Sequence, residues 1–198
     1  MGSHISSSLS QQYITLVIWQ SLDLCLPDHL MFGAAFPLGY FGYLCASEFM
    51  VPSLPSFSPS LHLDVQDIAM DSLSAPSCTR LQIKDSKTDP FRKGAFIHIG
   101  LGWPPLCAVH FVLTYLAGKG DVPGPLFLFQ NWQPLLRTLL TDWLWQILVT
   151  ANILGNFSSH CFRIGASTVA ASNGFPDHNK GLGPLVKLRL SALHQVPV

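Results

Sequence analysis

Two short stretches of this 198-residue chain carry side chains that could handle a phosphate. The first is Ser159-His160-Cys161-Phe162-Arg163-Ile164-Gly165-Ala166. His160 and Arg163 are three apart, so on a helix they share a face and can present donors to one anion. The second runs from Arg80 to Lys93. It holds five basic side chains (Arg80, Lys84, Lys87, Arg92, Lys93) against two acidic ones (Asp85, Asp89), net +3 in a chain whose formal charge is zero. A basic tip between two strands can reach into a groove. Taken singly, each stretch also fits a blander role: a capped helix with a solvated Arg, and a solvated turn.

The elements around these residues follow from hydrophobic period. Ile14 to Leu26 and Leu30 to Phe49 are apolar at helical spacing, the second interrupted at Pro37 or running into it. Pro52 to Ser60 is a Pro/Ser loop. The period then turns strand-like over Leu61 to Met70, Thr79 to Lys84 and Ala95 to Ile99. In the middle segment Leu81 and Ile83 fall on one face, and Arg80, Gln82 and Lys84 on the other. These three pieces predict a small antiparallel sheet with a charged hairpin tip. Helices are predicted over Pro105 to Ala117, from a cap at Thr138 or Thr141 to about Thr150, and from His160 to Ala171 before Asn173-Gly174. Val122 to Gln133 reads as a loop, and Trp103, Trp132, Trp143 and Trp145 read as core.

Composition bounds the function. Only 11% of residues are charged, against roughly 25% in a typical domain. There is no global basic signal for nucleic acid. The odd count of five cysteines, with no Cys-x-x-Cys pair, predicts free thiols in a reducing compartment. The uncharged run Ala95 to Gly118 is long enough to span a bilayer, but Gly100, Gly102, Pro104 and Pro105 break it. A strand, a turn and a buried helix account for it better than a membrane span.

Three phrases in order resemble a known family: Phe41-Gly42-Tyr43-Leu44 leading to Ser47-Glu48-Phe49, then Ser86-Lys87-Thr88-Asp89-Pro90-Phe91-Arg92, then His160-Cys161-Phe162-Arg163-Ile164-Gly165-Ala166. Together they resemble the catalytic domain of tyrosine recombinases, and within it the retroelement and transposon proteins of eukaryotes. The resemblance implies an α+β fold, mainly helical with a small three-stranded antiparallel sheet. It also implies a DNA breaking and rejoining reaction, in which a tyrosine attacks a phosphodiester and forms a 3′-phosphotyrosyl bond. Two arginines and a histidine hold the non-bridging oxygens, and a hairpin lysine protonates the leaving 5′ oxygen. Preorganised cations at a transition state that gains negative charge agree with that chemistry. No metal, nucleotide or small-molecule cofactor is implied.

Carried over residue by residue, Lys87 matches the hairpin lysine, and His160 and Arg163 match the phosphate donors. Glu48 matches the acidic residue three after the first arginine. Cys45 stands where that arginine belongs, and a thiol cannot supply a charged planar fork. Leu193 stands where the tyrosine belongs, and no tyrosine follows Tyr115. The tyrosine segment is thus read as lost and the chain as a catalytically inactive copy. A one-base frameshift accounts for the tail: codons exist for Leu185 to Val198 that spell a tyrosine-bearing segment when read one base later. Genomic DNA without a one-base restoration near codon 184 would sink that idea.

The expected organisation is a disordered lead-in over 1–12, a recombinase-like domain over 13–183 and an aberrant tail over 184–198. DNA is the implied partner, bound weakly through Arg80, Lys84, Arg92 and Lys93 with the site remnants. Self-association is expected from apolar surface left by the lost segment, in a nuclear or cytoplasmic, intracellular protein. The alternatives are a non-enzymatic interaction protein reusing the fold and, less favoured, a membrane protein.

Overall fold

The computed structural model describes residues 16–86, 89, 91, 93–102 and 107–153, and the backbone of 186–188. Helix α1 covers 16–20 and stops earlier than its apolar period predicts. The Asp23 carboxylate accepts from Cys25 N–H, and His29 Nδ1 accepts from Asp23 N–H. These local bonds offer the backbone an alternative to helix. Pro27 then opens α2 (Pro27–Phe41), where its missing N–H costs nothing.

Pro37 sits inside α2 without ending it, contrary to the predicted interruption. An interior proline costs about 3 kcal/mol. That cost is offset because every residue from Met31 to Gly39 is buried, at about 1.5–3 kcal/mol for each large apolar side chain. Gly33 admits the Phe111 ring of a neighbouring helix; a Cβ there would lie 3.0 Å from it.

The helix ends at Gly42 and not at Phe49. Leu44 N–H bonds Gly39 O and Tyr43 N–H bonds Tyr40 O, with Tyr43 at φ 54°. This is a Schellman closure with tyrosine in the left-handed position usually given to glycine. It turns the chain into the short helix α3 (Ala46–Phe49).

The sheet comprises β1 (Ile68–Met70), β2 (Cys78–Ile83) and β3 (Ala95–Gly100), antiparallel in that order. Leu61 to Asp67 does not join it; Val65–Asp67 forms a 3-10 turn capped by Asp64, whose side chain accepts from Gln66 N–H. A fourth strand, β4 (Val186–Leu188), pairs in parallel with β3, so the sheet exceeds the three strands predicted. Thr79, Leu81 and Ile83 are buried while Arg80 and Gln82 are exposed, as the alternation predicts.

Helix α4 (Ala108–Lys119) packs on α2 and on β3, and α5 (Arg137–Thr150) meets α2 through Trp143. Leu140, Leu144 and Leu148 form the buried stripe of α5. Neither Thr138 nor Thr141 caps it: Leu136 is the cap residue, and the Thr141 hydroxyl bonds Arg137 O within the helix. Trp143 stacks on Phe32 with ring centroids 4.1 Å apart. Trp132 and Trp145 are exposed, not core, and Trp103 lies outside the described residues. The lead-in 1–12 and the helix expected from His160 to Ala171 also lie outside them. No helix among the described residues is long and apolar enough to cross a membrane.

Candidate functional site

The turn that carries Cys45 is built by the end of α2. The turn at Gly42–Leu44 delivers Cys45, half-buried, as the cap residue of α3. Glu48 Oε2 accepts from Cys45 N–H at 2.7 Å, closing the first turn of α3 on itself. The other carboxylate oxygen faces away from the helix. Glu48 Oε1 accepts from the Ser86 hydroxyl at 2.6 Å, across 38 positions of sequence. One carboxylate therefore ties the Cys45 turn to the base of the β2–β3 hairpin.

The hairpin is closed below its tip by two further bonds. Asp89 N–H bonds Ser86 O at 2.9 Å. Gly94 N–H bonds Asp89 Oδ2 at 2.7 Å, and Gly94 adopts φ 71° where a side chain is strained. Beyond this closure Phe91 is 79% exposed, with Lys93 Nζ 5.7 Å from its ring centroid. Lys87 and Arg92 belong to this hairpin by sequence and lie outside the described residues, as do His160, Arg163 and Leu193. The hairpin and the turn that holds Cys45 are brought together.

Lys84 takes a different course from the solvent face predicted for it. Its ammonium bonds Asp67 Oδ2 at 2.6 Å, Asp64 Oδ2 at 3.4 Å, Pro59 O at 2.6 Å and His62 O at 3.3 Å. Its side chain is only 17% exposed and that of Asp67 5%. The charge is balanced inside the fold, where it clamps the 59–67 loop to the end of β2. Asp64 and Asp67, three apart before a strand, were the sequence signal for this clamp.

Arg80 does stand free on the outer sheet face, its guanidinium 5.1 Å from the Phe96 ring centroid. His98 lies opposite it in register and was not singled out by the sequence. Its Nδ1 is 4.0 Å from the Cys78 sulfur, whose thiol is pushed up by burial and by Asp71. Asp71 in turn is lowered to about 2 by the Ser77 hydroxyl and the N–H groups of Cys78 and Ser77.

The last tyrosine of the sequence, Tyr115, is a core residue. Its hydroxyl donates to Leu126 O and accepts from Leu128 N–H, and burial pushes it up to about 12. A phenol so held is not available to attack phosphorus. Among the described residues, Cys25, Cys45, Cys78 and Cys107 form no disulfide. Among the described residues no group of three His, Cys, Asp or Glu side chains could hold a metal ion.

No family model and no curated protein sequence matches the chain. A solved FLP recombinase–Holliday junction complex is similar in structure, with TM-score 0.53 and 11% identity, over 99% of this chain and 49% of that one. The fold resembles that of this solved recombinase. The chain spans about half the length of the solved protein it matches. The mix of helices and a small antiparallel sheet agrees with the class that the three sequence phrases imply.

Proposed function

We propose that the chain descends from the DNA breaking and rejoining domain of a tyrosine recombinase of the retroelement and transposon type, and that it has lost catalysis. What supports this reading is the recombinase-like fold together with one contact: Glu48, three residues after Cys45, holds Ser86, the neighbour of Lys87. In this reading Lys87 is the remnant general acid, and His160 and Arg163 are remnant donors to a DNA phosphate. Cys45 replaces one cation, a loss worth about 10²–10³ in rate for a single transition-state donor. Leu193 replaces the nucleophile, and without it no covalent intermediate forms. DNA binding remains through Arg80, Lys93 and Arg92 with the site remnants, weak and steeply salt-dependent because few phosphates are engaged. The protein acts, if on DNA, in the nucleus or cytoplasm and without cofactor.

A nicked suicide duplex tests this reading. The expected result is retention of the duplex at low salt with no protein–DNA covalent adduct. A phosphotyrosyl adduct would overturn the inactive assignment, and no retention at any salt would overturn the DNA assignment.

The second reading is an interaction protein that reuses the fold. It is favoured by α5, where Leu139, Trp145 and Val149 are exposed large apolar side chains on one helix. Concentration-dependent self-association without DNA retention would decide for it.

A further inference from the structure

The sheet face turned away from the core carries Arg80 and Gln82 on β2, and Phe96 and His98 on β3. Register sets Arg80 opposite His98 and Gln82 opposite Phe96. Arg80 and Gln82 are exposed, Phe96 is 45% exposed and His98 is half-buried. The ion pairs of the described residues belong to Lys84, so no carboxylate neutralises Arg80 there. One cross-strand pair thus sets Arg80 beside His98, on strands about 4.8 Å apart. Next to it stands an aromatic ring beside an amide.

We infer that this outer sheet face binds a single strand of DNA, using residues other than Lys87, His160 and Arg163. The choice of DNA rests on the function proposed above. The exposed Arg80 guanidinium suits a phosphate. The ring and the amide narrow the ligand further: an exposed Phe96 stacks a base, and Gln82 can bond a base edge. An acidic peptide or a lipid headgroup would meet the guanidinium and leave the ring idle. A duplex keeps its bases stacked on each other, so it cannot use Phe96. In the free protein the Arg80 guanidinium rests on Phe96. On binding it moves to a phosphate and uncovers the ring for a base. Asp71, beside Cys78, bounds the face at the far end of β2.

The test uses the full chain, a short labelled oligothymidylate and a labelled duplex, with binding followed by fluorescence anisotropy across a salt series. Phe96→Ala is expected to weaken oligothymidylate binding about tenfold and to leave the duplex unaffected. Phe96→Leu, which keeps the apolar bulk, should show the same loss if the ring is what matters. Arg80→Gln should lower the salt slope by about one. Circular dichroism checks that each variant is folded. Oligothymidylate binding that is unchanged in Phe96→Leu and Arg80→Gln overturns the inference. If the duplex is still weakened by Lys87→Gln and Arg163→Gln, only the sheet face falls and the DNA-joining ancestry stands. If the oligothymidylate depends on Phe96 while no duplex is bound, the sheet face stands and that ancestry falls. Binding of neither probe overturns both.

Discussion

Glu48 and Ser86 meet at 2.6 Å although 38 residues separate them, and the same carboxylate caps the turn at Cys45. Removing it takes one acceptor from two donors at once. Glu48→Ala should destabilise the fold by about 1–3 kcal/mol, the cost of taking an acceptor from part-buried donors. Ser86→Ala added to Glu48→Ala should cost little more, because the shared bond is already gone. Urea denaturation of the two single variants and the double measures this; fully additive losses would mean the contact carries no stability.

Lys84→Met should cost about 3 kcal/mol, since it leaves Asp67, 5% exposed, as an unpaired charge. DNA affinity per folded molecule should not change, because this ammonium faces carboxylates and carbonyls rather than solvent. Denaturation midpoints give the first half of the prediction. A DNA titration at low salt gives the second, and a weakened titration with intact stability would contradict both.

Gly94 closes the hairpin at φ 71°, and a Cβ there would lie 2.7 Å from Ile83 O. Gly94→Ala should therefore destabilise by at least about 1–2 kcal/mol, the cost of a left-handed non-glycine residue, with the clash added. Gly118→Ala is the control. It lies in α4 with nothing within 4 Å of its Cβ position, so it should gain up to about 0.5–1 kcal/mol. Equal behaviour of the two variants would show that the hairpin closure is not strained.

Asp71 is held at about 2, below its ordinary 3.8, first of all by the Ser77 hydroxyl. A carboxyl whose folded value is depressed contributes stability that is present above pH 4 and is lost as pH falls toward 2. Asp71→Asn should flatten the stability profile in that window and leave it parallel to wild type above pH 5. Urea midpoints at several pH values read this directly; identical slopes below pH 4 would exclude the linkage.

Much of this was legible in the sequence, because much of it is periodic. Alternation over 78–83 put Leu81 and Ile83 inside and Arg80 and Gln82 outside, since successive strand residues face opposite sides whatever the fold. The basic segment from Arg80 to Lys93 is legible from composition alone. What tertiary structure decided is where non-local partners lie. Lys84 looked like a solvated cation until the 59–67 loop brought Asp64 and Asp67 to it. Pro37 looked like a helix end until burial on every side outweighed its missing bond. Glu48 and Ser86 each stood in a family-like phrase, yet their bond depends on the turn at Tyr43 aiming α3 at the hairpin. Likewise, β4 joins the sheet through pairing with a strand some ninety residues earlier. Local period is encoded residue by residue along the chain. Ion pairs, buried prolines and strand partners are set only by which distant segments the packed core holds together.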